Sequence, residues 1–348
     1  MARLSEQEFK NQIKNEDYSN AYLIYGDESY VKDIYISRLK KKLVDPAFEA
    51  FNYRRFDGKD VDIDDIIKDA QMLPMMSSYS LVTVRDYPVE KSKADINKLK
   101  DFLSDIPDTT VFVLYYDALA PDVKSTGFKN VIAMFDKAGS VLELNKRSES
   151  ELAKLLVSGA KKRGAVLENS DAKYLISVSG NEMKLLLNEL EKLSYFVNGG
   201  KITKEIIDNM ATKCLQARIY DLSKVVVNGN TDAAYSVLNT LFSMKEDPIL
   251  LCAVISGVYV DMYRVKCAKA AGLSYDDVAA NFNYRGREFA LKNASRDCAA
   301  LTEKQLRKSL DTVIDTDLKL KSTTIDKKLL IEEMIVKLIM IAGERSYA

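Results

Sequence analysis

Paired carboxylates stand at Asp64-Asp65, at Glu189 and Glu191, and at Glu332-Glu333, and such pairs are the raw material of general acid–base catalysis. Each pair here lies on a stretch with helical spacing, where carboxylates ordinarily form a solvated face. No histidine occurs anywhere in the 348 residues. That absence removes Ser–His and Cys–His nucleophile pairs, histidine metal ligands and the usual general base near neutral pH. Cysteines at 214, 252, 267 and 298 include no CxxC spacing and read as reduced, buried, small apolar residues. The basic clusters Lys40-Lys41-Lys42 and Lys161-Lys162-Arg163 suit phosphate contact, yet each sits near a helix end, where cations complement the helix dipole. Ser295-Arg296-Asp297-Cys298 is a loose echo of a Ser-Arg-Cys arginine finger, in a region where no nucleotide edge is expected.

Cradling a nucleotide phosphate takes GxxxxGK[ST], because glycines let backbone amides approach the anion and lysine supplies charge. The first strand-to-helix turn reads Tyr25-Gly26-Asp27-Glu28-Ser29-Tyr30-Val31-Lys32 instead. It has one glycine, and it places two carboxylates where phosphates would lie, so like-charge repulsion opposes ATP. The Gly-Lys pairs at Gly58-Lys59 and Gly200-Lys201 have Tyr53 and Tyr195 five residues before the glycine, and neither lysine precedes Ser or Thr. ATP binding by this chain is therefore not expected.

The segment 69–85 carries a different kind of chemistry. An amphipathic pattern runs to Pro74, two large apolar residues follow at once as Met75 and Met76, and a strand pattern begins near Leu81. Residue type alone sends both methionines back into the core. The alternative is an exposed hydrophobic plug at a helix end, of the kind that fills a partner's pocket.

These segments need a scaffold, and the composition allows one. Hydrophobic residues make up 47% of the chain and charged residues 29%, and 51 Lys plus Arg balance 51 Asp plus Glu, so whole-chain attraction to nucleic acid or membrane drops out. The polar N-terminus, with no apolar run near the ~20 residues of a membrane helix, points to a soluble, intracellular protein. Five of the six prolines lie at or before position 121. A mixed N-terminal third followed by a mostly helical remainder is the expectation. Strand-like runs at 21–25, 51–56, 81–84, 110–116 and 141–144 are each bounded by Gly, Pro, Asp or Asn. Between them Asp27 is placed to cap a helix carrying Val31, Ile34, Tyr35 and Leu39, and Ile63, Ile66, Ile67, Ala70 and Leu73 repeat at helical spacing. Alternating strand and helix predict a parallel sheet covered by helices. From Glu151 the spacing is helical almost throughout. Leu175 and Ile176 precede a stop at Gly180, Met183, Leu186, Leu187, Leu190 and Leu193 share one face, and Thr203 is placed to cap a short helix through Met210. A final helix carries Leu330, Met334, Leu338 and Ile341 on one stripe. The expected domains are 1–145, 146–212 and 213–348.

In this order the landmarks resemble the delta subunit of the bacterial DNA polymerase III clamp loader. They are Ala21-Tyr22-Leu23-Ile24-Tyr25-Gly26-Asp27-Glu28, Phe56-Asp57-Gly58, Leu73-Pro74-Met75-Met76-Ser77, Leu81-Val82-Thr83-Val84-Arg85 and Gly180-Asn181. Asn188-Glu189-Leu190-Glu191-Lys192-Leu193, Ile202-Thr203 and Asp317-Leu318-Lys319-Leu320-Lys321-Ser322 follow. The resemblance implies an α/β N-terminal domain, AAA+-like with a parallel sheet and no P-loop. A small helical lid domain and a C-terminal all-α collar domain follow it. It implies a cytoplasmic bacterial protein, nucleoid-associated during replication, with no intrinsic activity of its own inside a DNA-directed DNA polymerase holoenzyme. No cofactor is implied, ATP being bound by partner subunits. The implied partners are the sliding clamp, the other subunits of a pentameric loader reached through the collar, and primed DNA in the assembled complex, with no membrane. The implied clamp-binding residues are Leu73, Met75 and Met76, methionine standing where an aromatic or leucine is usual. The rigid stretch 62–73 would be the wedge that holds the ring open.

Two readings from other classes make different demands. An ATP-hydrolysing AAA+ enzyme with a degenerate loop requires saturable ATP binding, which Asp27 and Glu28 oppose. A nucleic-acid-binding regulator with a helical C-terminal domain requires tight, salt-sensitive DNA binding, which zero net charge does not favour.

Overall fold

A run that is apolar at every position, Ala21–Tyr25, has to be covered on both faces, and all five of its residues are buried. In the computed structural model, which describes residues 4–58, 61–282, 284 and 288–344, this strand (β1) pairs in parallel with two others at once. The chain divides into two units, Met1–Lys146 and Arg147–Ala348, each with its own core.

In the first unit, helix α1 (Glu6–Asn15) precedes β1. Then come α2 (Ser29–Leu43), the single turn α3 (Glu49–Asn52), β2 (Tyr53–Asp57), α4 (Ile63–Ala70), β3 (Ser80–Arg85), α5 (Lys93–Ser104), β4 (Thr110–Tyr115), α6 (Thr126–Ala138) and β5 (Ser140–Glu143). The five strands form one parallel sheet in the order β2-β3-β4-β1-β5, with β2 at an edge. One face packs Leu23, Tyr25, Val82, Val84, Phe112 and Leu114 against α4, α5 and α6. Edge-to-face ring pairs pin that layer, Phe102 on Phe112 and Tyr25 on Phe128, both with centroids 5.3 Å apart. On the opposite face Phe9 of α1 meets Tyr22 of β1 and Tyr35 of α2 in the same manner.

The parallel sheet and its helical cover are as the alternation predicts, with local corrections. The 51–56 run is not strand throughout: its first two residues close α3, and β2 begins at Tyr53. Asp27 does not cap α2; Glu28 occupies that position and makes no side-chain cap. Helix α4 ends at Ala70, well short of Pro74, and Leu73 leaves the apolar stripe to become exposed. The residue before proline disfavours the helical region, so the chain turns out early.

The second unit contains α7 (Glu149–Lys162), β6 (Val166–Leu167), α8 (Asn169–Ser179), α9 (Met183–Val197), β7 (Lys201–Ile202) and α10 (Lys204–Met210). Then follow α11 (Leu215–Val227), α12 (Thr231–Ser243), α13 (Pro248–Ala270), α14 (Tyr275–Asn281), α15 (Glu288–Asp297), α16 (Glu303–Ser322) and α17 (Lys327–Gly343). Strands β6 and β7 form a two-residue parallel ladder too short for periodicity to register. Met183, Leu186, Leu190 and Leu193 of α9 are buried as the spacing requires, while Leu187 is half-buried. Thr203 precedes α10 without capping it through its side chain. Capping boxes start α7, where Ser148 and Glu151 exchange bonds with each other's backbone, and α16, where Thr302 and Gln305 do so.

Among the described residues, α13 is the one helix long and apolar enough by composition to cross a membrane, where the sequence expectation was that no such run exists. Here it lies in the bundle core, with Cys252, Ile255, Tyr259, Met262 and Val265 buried and its Asp261 accepting a 2.5 Å hydrogen bond from Tyr284.

Candidate partner-binding site

Between α4 and β3 the chain exposes four large apolar side chains within five residues: Met72 (46%), Leu73 (80%), Met75 (50%) and Met76 (76%). The expectation from residue type, that both methionines return to the core, is therefore not met. Phe51, at the end of α3, is exposed as well. An apolar cluster standing in water has no folding rationale of its own.

The backbone explains why it stays out. Asp62 starts α4 by accepting from the Asp64 amide at 2.9 Å, and Ile63, Ile66 and Ala70 anchor the helix on the sheet. At its other end the Ala70 carbonyl accepts a 2.9 Å bond from the buried Thr110 hydroxyl. Ser80 re-enters the sheet by donating its amide to Thr109 O, and the Tyr79 ring packs edge-on against Tyr18. With both ends tied down, the nine intervening residues are held at the rim. Met76 adopts a left-handed backbone with φ +54°, a conformation costing a non-glycine residue about 1–2 kcal/mol.

Asn52 secures the middle of the turn. Its side chain is 1% exposed; Nδ2 donates to Met75 O at 2.8 Å and to Ser77 Oγ at 2.9 Å, while Oδ1 accepts from the Met75 amide at 2.7 Å. Only this orientation of the amide satisfies all three contacts. Sequence reasoning passed over Asn52 and Phe51 because it read them as strand. The available signal was a lone amide inside an aromatic run, since a buried asparagine must find partners.

At the opposite end of the sheet, the turn after β1 is organised around a cation. Lys32, 1% exposed, donates Nζ to Gly26 O at 2.8 Å and to Tyr116 O at 2.5 Å, with Asp117 Oδ1 at 3.9 Å. Burial lowers the Lys32 pKa, and Asp117 and Asp86 oppose the shift. Gly26 is required there: at φ +115° an added Cβ would fall 2.3 Å from Leu144 O. The adjoining cleft is lined by Asp27, Asp117 and Glu143, with Lys146 the one cation in its wall among the described residues. Three carboxylate side chains in this lining oppose an anion.

The remaining candidates are dispersed. Asp64 pairs with Lys98, Glu189 with Lys192 and Glu333 with Lys337. Lys40 and Lys42 pair with Glu49 and Glu16, Lys201 pairs with Glu168, and Arg296 turns onto the adjacent Asp297. Lys59 lies outside the described residues. Among the described residues no group of three or more Cys, Asp or Glu is arranged to hold a metal ion.

A five-stranded parallel α/β sheet, whose first strand-to-helix turn is filled by a lysine, followed by a mainly helical unit, places the chain in the α/β class with a helical C-terminal part. Models of the DNA polymerase III delta subunit match residues 22–144 and, for its C-terminal domain, residues 216–338, and a middle-domain model matches residues 148–209. The chain belongs to the DNA polymerase III delta subunit family. It is 24% identical over 335 residues to DNA polymerase III subunit delta of Bacillus subtilis, covering 94% of this chain and 95% of that one. It is 20% identical over 260 residues to the probable delta subunit of Aquifex aeolicus, covering 72% of each. The structure of the Bacillus subtilis DNA clamp loader delta protein superposes with a TM-score of 0.61 at 23% identity, over 96% of this chain and 99% of that chain, and shares its fold.

Proposed function

We propose that this chain is a cytoplasmic clamp-loader subunit that grips a ring-shaped sliding clamp through Leu73, Met75 and Met76 and holds one ring interface open for loading on primed DNA. The observation that carries this reading is the exposed apolar turn, held at the rim by hydrogen bonds from the buried Asn52 at the end of α3. Burying each methionine in a partner pocket contributes about 1.5–3 kcal/mol before ordering costs. Opening the ring takes more than grip: the surface must fit an open interface better than a closed one, so that binding shifts the ring's population. The short helix α4, anchored by Ile63 and Ile66, supplies a firm backing for that contact.

On this reading residues 1–145 carry the clamp element, 146–212 form a lid, and 213–348 form the collar that joins the other loader subunits. ATP binding and hydrolysis fall to those subunits. The acidic cleft and the lysine-filled turn support that division, because carboxylates line the cleft and the Lys32 ammonium is already engaged by Gly26 O and Tyr116 O.

The test is Met75→Ala combined with Met76→Ala, titrated calorimetrically with the sliding clamp of the same organism. The expected outcome is a folded protein whose clamp affinity falls by about a hundredfold or more. Unchanged affinity would overturn the assignment.

A further inference from the structure

A binding turn that protrudes into water and contains a strained residue must be stabilised from behind, or its binding-competent form is only a fraction of the population. Asn52 is the group behind this one. It lies at the end of α3, more than twenty residues away in sequence, and contacts no exposed apolar side chain through its amide. What it holds is backbone, the N–H and C=O of Met75 and the hydroxyl of Ser77, so it fixes the peptide from which Met75 and Met76 project. Met76 with φ +54° follows directly on that clamped peptide. Released from Asn52, the turn would relax toward commoner backbone conformations and carry both thioethers elsewhere.

We propose that Asn52 is a positioning residue for partner binding: its buried amide pre-organises the 73–77 turn, so that the apolar pair is presented in one geometry before the partner arrives. This inference rests on the reading of Met75 and Met76 as the clamp contact. If the competent geometry falls to a fraction f of the population, the apparent dissociation constant rises by 1/f. The loss therefore appears without removal of any contacting atom.

The experiment compares the full chain with Asn52→Ala and Asn52→Asp, each alone and combined with Met75→Ala and Met76→Ala, using the sliding clamp as probe. The carboxyl introduced by Asn52→Asp keeps the acceptor for the Met75 amide, loses both donors and turns a charge toward the Met75 carbonyl. Three readouts are taken: clamp affinity, thermal stability, and the ε-methyl signals of Met75 and Met76 in selectively labelled protein. The expected result is clamp affinity about tenfold weaker in either Asn52 variant, with shifted or broadened signals from both methyls. No further loss is expected once the methionines are alanine. The Asn52→Asp variant should recover affinity as pH falls and its carboxyl regains a proton to donate, a recovery that general weakening of the fold would not produce. Unmoved methyl signals, unmoved affinity, or an equal Asn52 effect in the methionine-less background would each overturn the inference. Methionine substitutions without effect on clamp affinity would instead remove the reading beneath it, and the two failures are read from different samples.

Discussion

Asp86 combines burial, an unusual backbone and a charge. It has φ +55° and is 2% exposed, and its carboxylate accepts the amides of Asp117, Ala118 and Leu119 at 2.7, 3.0 and 3.0 Å. Burial alone would raise its pKa, but the three amides and the Arg85 guanidinium hold the carboxyl below the ordinary carboxylate range. Because the folded pKa is depressed, this contribution is fully present above the unfolded value near 4. It is lost as pH falls from there through the folded value. Asn tolerates the left-handed backbone but turns its amide NH2, a donor, toward at least one of the three N–H groups. Asp86→Asn should therefore cost about 1–3 kcal/mol at neutral pH. Denaturant titrations at pH 7 and pH 3 check this: the gap between the two proteins should narrow at the lower pH, and a constant gap would contradict it.

Among the elements, α4 shows how the carbonyl left open at a helix end is satisfied from a neighbouring strand. Its last carbonyl, Ala70 O, is taken by the Thr110 hydroxyl, which is fully buried at the start of β4. Thr110→Val keeps the shape and removes that donor, leaving a buried carbonyl unpaired. The expected cost is about 1–3 kcal/mol in the chemical unfolding of the first unit, and no measurable change would refute the role. The same helix shows what the sequence disclosed and what it withheld. Ile63, Ile66 and Ala70 were legible as a buried stripe because their spacing follows the helical period. Leu73 fits that spacing too, yet the helix has already ended, and the spacing of apolar residues does not register the proline that follows. Met75 and Met76 were misjudged from type because burial preference is an average over sites, whereas their location follows from anchors at both ends of the turn. The buried Lys32 was invisible for a related reason: a lysine is expected outside unless its partners are known, and here they are backbone carbonyls.

At the level of the whole molecule, the division into two units, each with an apolar core of its own among the described residues, implies at least two cooperative units. One is centred on the five-stranded sheet, the other on α13 and the helices packed around it. Calorimetric melting should give an endotherm that requires two transitions, and Thr110→Val should lower only one of them. A single transition moved as a whole would show that the units are thermodynamically fused. The broad plan, a parallel α/β portion followed by helices, was readable from the alternation of patterns and from the proline distribution. The strand order β2-β3-β4-β1-β5 was not, because it depends on which edges meet in space. The clustering of the acidic side chains in the cleft beside β1 depends on the same crossovers.

The lysine inside the first turn has a thermodynamic corollary. A loop ordered by a dissolved ligand gains RT ln(1 + [L]/Kd), a term that rises and falls with supply. Carried on the first turn of α2, the Lys32 ammonium faces the Gly26 carbonyl of its own loop and the Tyr116 carbonyl just after β4 at a fixed effective concentration set by the chain itself. Dilution cannot remove it, and the order it confers on the turn is constant wherever the protein is folded.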